Sequence, residues 1–131
     1  MPETYPSYAA LILRVSSGLL LIAHGLLKLI VFTPAGTADY FKSLGLPGPL
    51  AYPVMALEVL GGLALLAGFK TRWLSVVLAV ELLCAAAFGH VANGWMFANN
   101  GGGWEFPVFW AVVMLALALL GDGAYALKPA A

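Results

Sequence analysis

The chain has 131 residues, 63% of them apolar and only 9% charged, with a formal net charge of zero. Soluble domains carry about a quarter charged residues, so this composition excludes an ordinary water-soluble core, and the balanced charge argues against nucleic acid as a partner. The single Cys84 excludes an internal disulfide, a CxxC redox pair and a cysteine zinc site.

Mean hydropathy is +0.96, and the apolar residues come in continuous runs rather than alternating ones. Continuous runs favour spanning helices, and four strands of this length could not close a barrel. The start, Met1 to Tyr8, lacks a basic n-region, and the first apolar run is too long for a signal h-region. The expected fold is therefore an all-α membrane protein, a four-transmembrane-helix bundle forming one domain over residues 1–131.

In chain order, the first span is expected over about 8–32, interrupted by Arg14, His24 and Lys28 and stopped at Thr33-Pro34-Ala35-Gly36. A short interfacial helix follows in the first outer loop, over Ala38 to Leu44, capped by Thr37 and ended by Gly45 before Pro47. It is either a lid or a plain anchor of the loop to lipid. The second span, about 50–69, carries Glu58, and the third, about 73–91, carries Glu81. The fourth, about 107–127, is short unless Gly121-Asp122-Gly123 stays helical. Lys70 and Arg72 crowd the turn between the second and third spans, with Lys128 in the tail. The positive-inside rule then puts both termini and this turn in the cytoplasm.

Ionisable groups inside hydrocarbon are costly, so by default they face inward, pair and mark function. At about 100° per residue, Arg14, His24 and Lys28 share one stripe of the first helix. With a rise of about 1.5 Å per residue, His24 and Glu58 each lie about 12 Å below the outer surface. Lys28 reaches that level by bending its stem. From the inner side Arg14 and Glu81 lie about 9 and 12 Å deep, so the expected arrangement is a structural Arg14–Glu81 ion pair and an outer Lys28/His24–Glu58 group. Ion pairs of this kind can merely fix helix register. The outer group has more polar members than one pair needs and opens towards His90, Asn93 and Glu105. Together, His24, Lys28, Glu58, His90, Asn93 and Glu105 form the candidate ligand-binding set; no residue is assigned a catalytic role.

On a straight helix His90 lies about 180° from Glu81. It is either a solvated interfacial histidine or, where the helix unwinds before Gly94, an inward one. Cys84 reads as a small buried apolar residue. Haem is disfavoured because His24 and His90 differ in depth by roughly 10 Å. A metal on His24, Glu58, His90 and Glu105 is opposed by the Lys28 ammonium. No metal is expected. Gly61-Gly62, Ala64/Gly68 and Ala85/Gly89 are small-residue pairs suited to close helix contact.

Five segments, His24-Gly25-Leu26-Leu27-Lys28, Leu44-Gly45-Leu46-Pro47, Glu58-Val59-Leu60-Gly61-Gly62, Lys70-Thr71-Arg72 and Asn99-Asn100-Gly101-Gly102-Gly103-Trp104-Glu105, occur in an order that resembles the DoxX family of small bacterial membrane proteins. The resemblance runs from about Leu13 to Leu127. It implies a four-helix bundle in the bacterial inner membrane, and a link to thiosulfate:quinone oxidoreductases or to thiol and oxidative-stress enzymes. The leading expectation is an inner-membrane subunit of a quinone-linked redox system of the thiosulfate or thiol type. Quinone would be the cofactor, bound in a polar pocket near the extracytoplasmic face, and electrons would come from a partner redox enzyme or from a substrate bound at the outer loops. A non-enzymatic adaptor or assembly factor for such an enzyme is the alternative. A small-solute carrier is a third, and it would need a homo-oligomer.

Overall fold

The computed structural model describes residues 4–127; the expectation attached to Lys128 lies outside them. Every regular element among the described residues is helical. Helix α1 (Tyr5–Leu26) is capped by Thr4, whose side chain accepts from Ser7 N, and has a proline in its first turn. It runs on through a wide π turn, Leu27–Val31. Helix α2 spans Pro34–Ser43, and a 3₁₀ turn at Gly48–Leu50 leads into α3, Ala51–Ala67. Helix α4, Thr71–Ala85, likewise continues into a π turn, Ala86–His90, and a 3₁₀ turn, Val91–Asn93. Helix α5 is Glu105–Leu120.

Three helical runs are long and apolar enough to cross a membrane: Tyr5–Val31, Gly48–Ala67 and Thr71–Asn93. The fourth, Glu105–Leu120, has 16 residues, about 24 Å at 1.5 Å per residue. It does not extend to Leu127. Gly121 (φ 84°) and Gly123 (φ 73°) turn the chain back instead. Large apolar side chains face outward on all four long helices, Ile12, Leu63, Val80 and Phe109 among them. Exposed apolar surface on this scale suits lipid rather than water.

The short helix before α3 starts one turn earlier than expected. Thr33, not Thr37, is its cap and accepts from Gly36 N. Thr33 holds φ 67°, an outlying backbone for a β-branched residue. The cost, about 1–3 kcal/mol, is offset by that cap and by Thr37, whose hydroxyl donates to Thr33 O at 2.9 Å and Lys28 O at 3.1 Å.

Helix α1 packs chiefly on α3, and α4 chiefly on α5. The α1–α3 seam is backbone against backbone. A Cβ on Gly18 would lie 2.8 Å from Gly62 O, and one on Gly62 would lie 2.7 Å from Gly18 O. The two pairs meet over a core of Leu21, Leu65, Leu78, Met114 and Leu117, each at most 1% exposed.

At the end carrying the Lys70 turn, the pairs are bolted together by polar groups. The Arg14 guanidinium donates to Leu65 O (2.9 Å), Leu66 O (3.3 Å) and Ala124 O (2.6 Å). The first two are last-turn carbonyls of α3, at the negative end of its dipole; Leu65 O also accepts from Gly68 N at 3.1 Å. Asp122 interacts electrostatically with Arg14 and caps α4 by accepting from Thr71 N at 3.2 Å. The tail is held by Ala124 N to Ser7 O and Leu127 N to Ala67 O. This arrangement corrects one expectation: Arg14 is not paired with Glu81. Helix α1 lies on α3, so its arginine meets the C-terminal end of α3 and the returning tail before it can reach α4.

The seam makes a contrast that stability measurements can read. Gly62→Ala should cost about 1–3 kcal/mol, the usual overpacking range. At Gly61 an added Cβ meets only side chains at 3.4 Å or more, so Gly61→Ala should be close to neutral. Thermal unfolding of the two variants in detergent checks the difference.

Candidate functional site

At the opposite end the pairs separate and enclose a cavity of about 790 Å³. Its walls come from α1 and its π turn, from α2, from α3, and from α4 and its π turn. Most of the lining is apolar, with Phe32, Phe41, Leu50, Val54 and Phe88 prominent. One polar cluster breaks it.

That cluster is built around Glu58, which is 5% exposed. Glu58 is drawn to α1 because Gly25 leaves room there; a Cβ on Gly25 would lie 3.2 Å from Glu58 Cβ. Lys28 Nζ donates to Glu58 Oε1 at 2.8 Å, the one ion pair between described side chains within 4 Å. Lys28 sits in the π turn, where an i→i+5 bond adds a residue to the turn and rotates the following side chains relative to a regular helix. On the far side Glu81 lies close enough to Glu58 for the two carboxyls to interact. Glu81 Oε2 remains buried with no hydrogen-bond partner.

Of the candidate set, His24, Lys28, Glu58 and His90 line this cavity. His24 does not bond Glu58. Its Nδ1 lies 2.8 Å from Leu20 O and its ring packs on Trp110 at 5.5 Å. His90 reaches the cavity because the π turn Ala86–His90 undoes part of the rotation expected on a straight helix. Its Nδ1 lies 2.9 Å from Gly102 O. A carbonyl oxygen only accepts, so both histidines carry a proton on Nδ1, and in the neutral form each leaves Nε2 as an acceptor.

Asn93 and Glu105 do not line the cavity. Asn93 Nδ2 donates to Gly102 O at 2.9 Å and to Gly89 O at 3.4 Å, and Glu105 accepts from Phe97 N at 2.8 Å. Both order the loop between α4 and α5, with Gly101 and Gly102 at φ 79° and 80°. That loop in turn holds His90.

Four lining residues escaped the sequence reading. Glu81 was assigned to the wrong level, although depth counting from either end leaves it near the middle of the bilayer. Cys84 is exposed rather than buried and lies on the cavity wall, one turn beyond Glu81. Thr37 and Tyr40 line the cavity from α2. Among the described residues, no three of His, Cys, Asp and Glu are grouped to hold a metal ion.

The ion pair predicts strong coupling. Lys28→Met or Glu58→Gln alone should each destabilise the protein, by up to about 3–5 kcal/mol where a charge is left uncompensated. The double variant should lose clearly less than the sum. A double-mutant cycle by denaturant titration in detergent measures this, and additive losses would show that the two side chains act separately.

The family model described as DoxX matches residues 9–91. "Putative oxidoreductase CatD" of Bacillus subtilis is 34% identical over 119 residues, covering 91% of this chain and 84% of that protein. "Inner membrane protein YphA" of Escherichia coli is 33% identical over 124 residues, covering 89% and 86%. "Inner membrane protein YqjF" of the same organism is 33% identical over 125 residues, covering 89% and 87%. No solved structure matches. The chain belongs to the DoxX family of membrane proteins.

Proposed function

We propose that the chain is an inner-membrane subunit of a quinone-linked redox system and that the cavity is its quinone site. The observation that carries this reading is the cavity's two-part chemistry: a long apolar wall interrupted at one place by an ammonium, two carboxyls and a histidine. A quinone asks for that combination, with a tail that wants hydrocarbon and ring oxygens that want a few placed polar groups. A site selective for small ions would carry more polar lining than this.

In this reading the chain crosses the bilayer four times. Helix α5 packs along α4 and carries outward apolar side chains, and slight local thinning accommodates its length. The two termini and the Lys70 turn lie at one end, on the cytoplasmic side by the positive-inside rule. The cavity lies towards the other face, covered by α2. The names of the relatives from Escherichia coli support the inner membrane.

Reduction of a quinone takes two electrons and two protons. The chain's own residues provide for the protons: Glu58 and Glu81 are the carboxyls on the cavity wall, and Lys28 steadies the negative charge. The electrons come from a partner enzyme that oxidises two thiols to a disulfide or an equivalent sulfur donor. The name of the relative from Bacillus subtilis supports a redox setting. Without quinone binding, the reading left standing is an adaptor that only docks such a partner.

Cys84, the sole cysteine, lines the cavity and reports its occupancy. A fully substituted benzoquinone with a decyl tail, which has no open ring position for thiol addition, should slow labelling of Cys84 by N-ethylmaleimide at micromolar concentrations. Lys28→Met should raise the protecting concentration by about tenfold, the effect of one charge-assisted hydrogen bond. Unchanged labelling at saturating quinone would refute the site.

A further inference from the structure

Helices α3 and α4 pack on each other less extensively than either packs on its main partner. Towards their shared turn they leave a shallow groove of about 380 Å³, which shares no lining residue with the cavity. The groove follows α3 from Ala56 to Ala64, about 12 Å at 1.5 Å per residue. Gly61 and Ala64 are too small to fill the space between the helices, and Leu60 and Leu74 line it with them. Phe69 and Lys70 stand where it meets the turn.

Lys70 is the one charged group of this lining. It is held at φ 52°, an uncommon backbone conformation for a lysine, and its Nζ lies 5.9 Å from the centre of the Phe69 ring. Among the described residues it forms no ion pair within 4 Å. Arg72 beside it is also exposed, whereas Asp122, the acidic residue described at this end, is buried and accepts from Thr71 N. The groove therefore ends at a positive surface. Trp73 is 77% exposed there, as suits an aromatic ring at the level of lipid headgroups.

A ligand for this place needs an apolar chain for the groove and an anion for its end. A bilayer lipid with an anionic phosphate headgroup has both, and the bilayer presents it in the matching direction, chain along the helices and phosphate at their ends. A neighbouring helix fits less well. Leu60, 64% exposed, stands out beside Gly61 and obstructs the close small-residue approach that helix pairs use. A zwitterionic lipid offers the same chains, but Lys70 and Arg72 repel its ammonium.

We infer that the groove binds one anionic phospholipid, with an acyl chain between α3 and α4 and the phosphate on the Lys70 ammonium. The site is independent of what the cavity holds. A lipid bound there joins the α1–α3 pair to the α4–α5 pair along a seam where protein contact is thin, and so stabilises the bundle.

Native mass spectrometry reads the site on the full-length protein, stripped of lipid in detergent and titrated with dioleoylphosphatidylglycerol or dioleoylphosphatidylcholine. One phosphatidylglycerol should bind at about a fifth of the concentration needed for phosphatidylcholine, the effect of one lysine beside an anionic headgroup. It should also raise the unfolding temperature more than phosphatidylcholine does. Lys70→Gln should bring the two lipids level, while Lys42→Gln, which removes a lysine from α2, should leave the preference intact. Ala64→Phe, which fills the groove, should weaken both lipids. Glycerol 3-phosphate, with the charge but no chain, should not compete. Equal binding of the two lipids by the wild-type protein, or a preference that survives Lys70→Gln, would overturn the inference. A dimer in the stripped sample that Ala64→Phe disperses would do the same, by giving the groove to a second copy of the chain. The wild-type comparison of the two lipids decides the matter even if a variant fails to fold.

Discussion

An ammonium and a carboxylate 2.8 Å apart, on helices joined by a glycine seam, set the geometry of this bundle's open end. Neither charge is tolerable alone in an apolar surround, where isolated ions carry penalties of several kcal/mol. Their contact therefore fixes the rotation of α1 against α3. The seam has to be tight for that contact to form. Gly18 and Gly62 bring the backbones together, and Gly25 makes the space in which Glu58 turns towards Lys28. Glu81 of α4 lies beside the same point.

The two ends of the molecule use polar groups in opposite ways. At the turn end every strong donor of Arg14 except Nε meets a backbone carbonyl or lies beside Asp122, and the tail closes over it. These contacts are spent on structure: they finish the ends of α3 and α4, which would otherwise leave orphan groups in hydrocarbon. Unpartnered buried atoms occur on both sides, Arg14 Nε, Thr71 Oγ1 and Ser75 Oγ towards the turn and Glu81 Oε2 towards the cavity, but only the loop end encloses open space beside its polar groups. Between the two lies a dry layer, Leu21, Leu65, Leu78, Met114 and Leu117. That layer separates the closed end from the cavity.

Much of this architecture was legible in the residues. Continuous apolar runs and their Pro and Gly stops located the long helices to within a few residues, because hydrophobicity and helix termination are local properties. The stripe carrying Lys28 was legible too, since helical periodicity alone places it. What failed were inferences that needed to know which helix lies on which. Depth matching paired Arg14 with Glu81, but depth is shared by several helices and cannot choose between α3 and α4 as a neighbour. The placing of Cys84 in a core failed for a related reason. A small apolar-compatible residue in an apolar run faces lipid, core or cavity equally well by sequence. For His90 both an outward and an inward position stayed open, because no residue between Ala86 and His90 announces the wide turn that brings it to the cavity.

The two wide turns bear on what this bundle is for. One carries Lys28 and the other ends at His90, and both stand at the level of the cavity. A π turn weakens local hydrogen bonding, and here it frees the Lys28 carbonyl to accept from Thr37, so α2 is anchored by a bond that a regular helix would have used internally. Reversion to regular helix would rotate Lys28 and His90 away from the cavity and remove the anchor of its cover. A structure that needed only to span lipid gains nothing from either interruption. The interruptions are accounted for if aiming a donor and an acceptor at one enclosed space is what the fold has to achieve, with the Glu58–Glu81 pair already waiting there. The irregular parts of α1 and α4 are thus the same parts that make the cavity chemically competent, and the regular remainder serves to hold them in register.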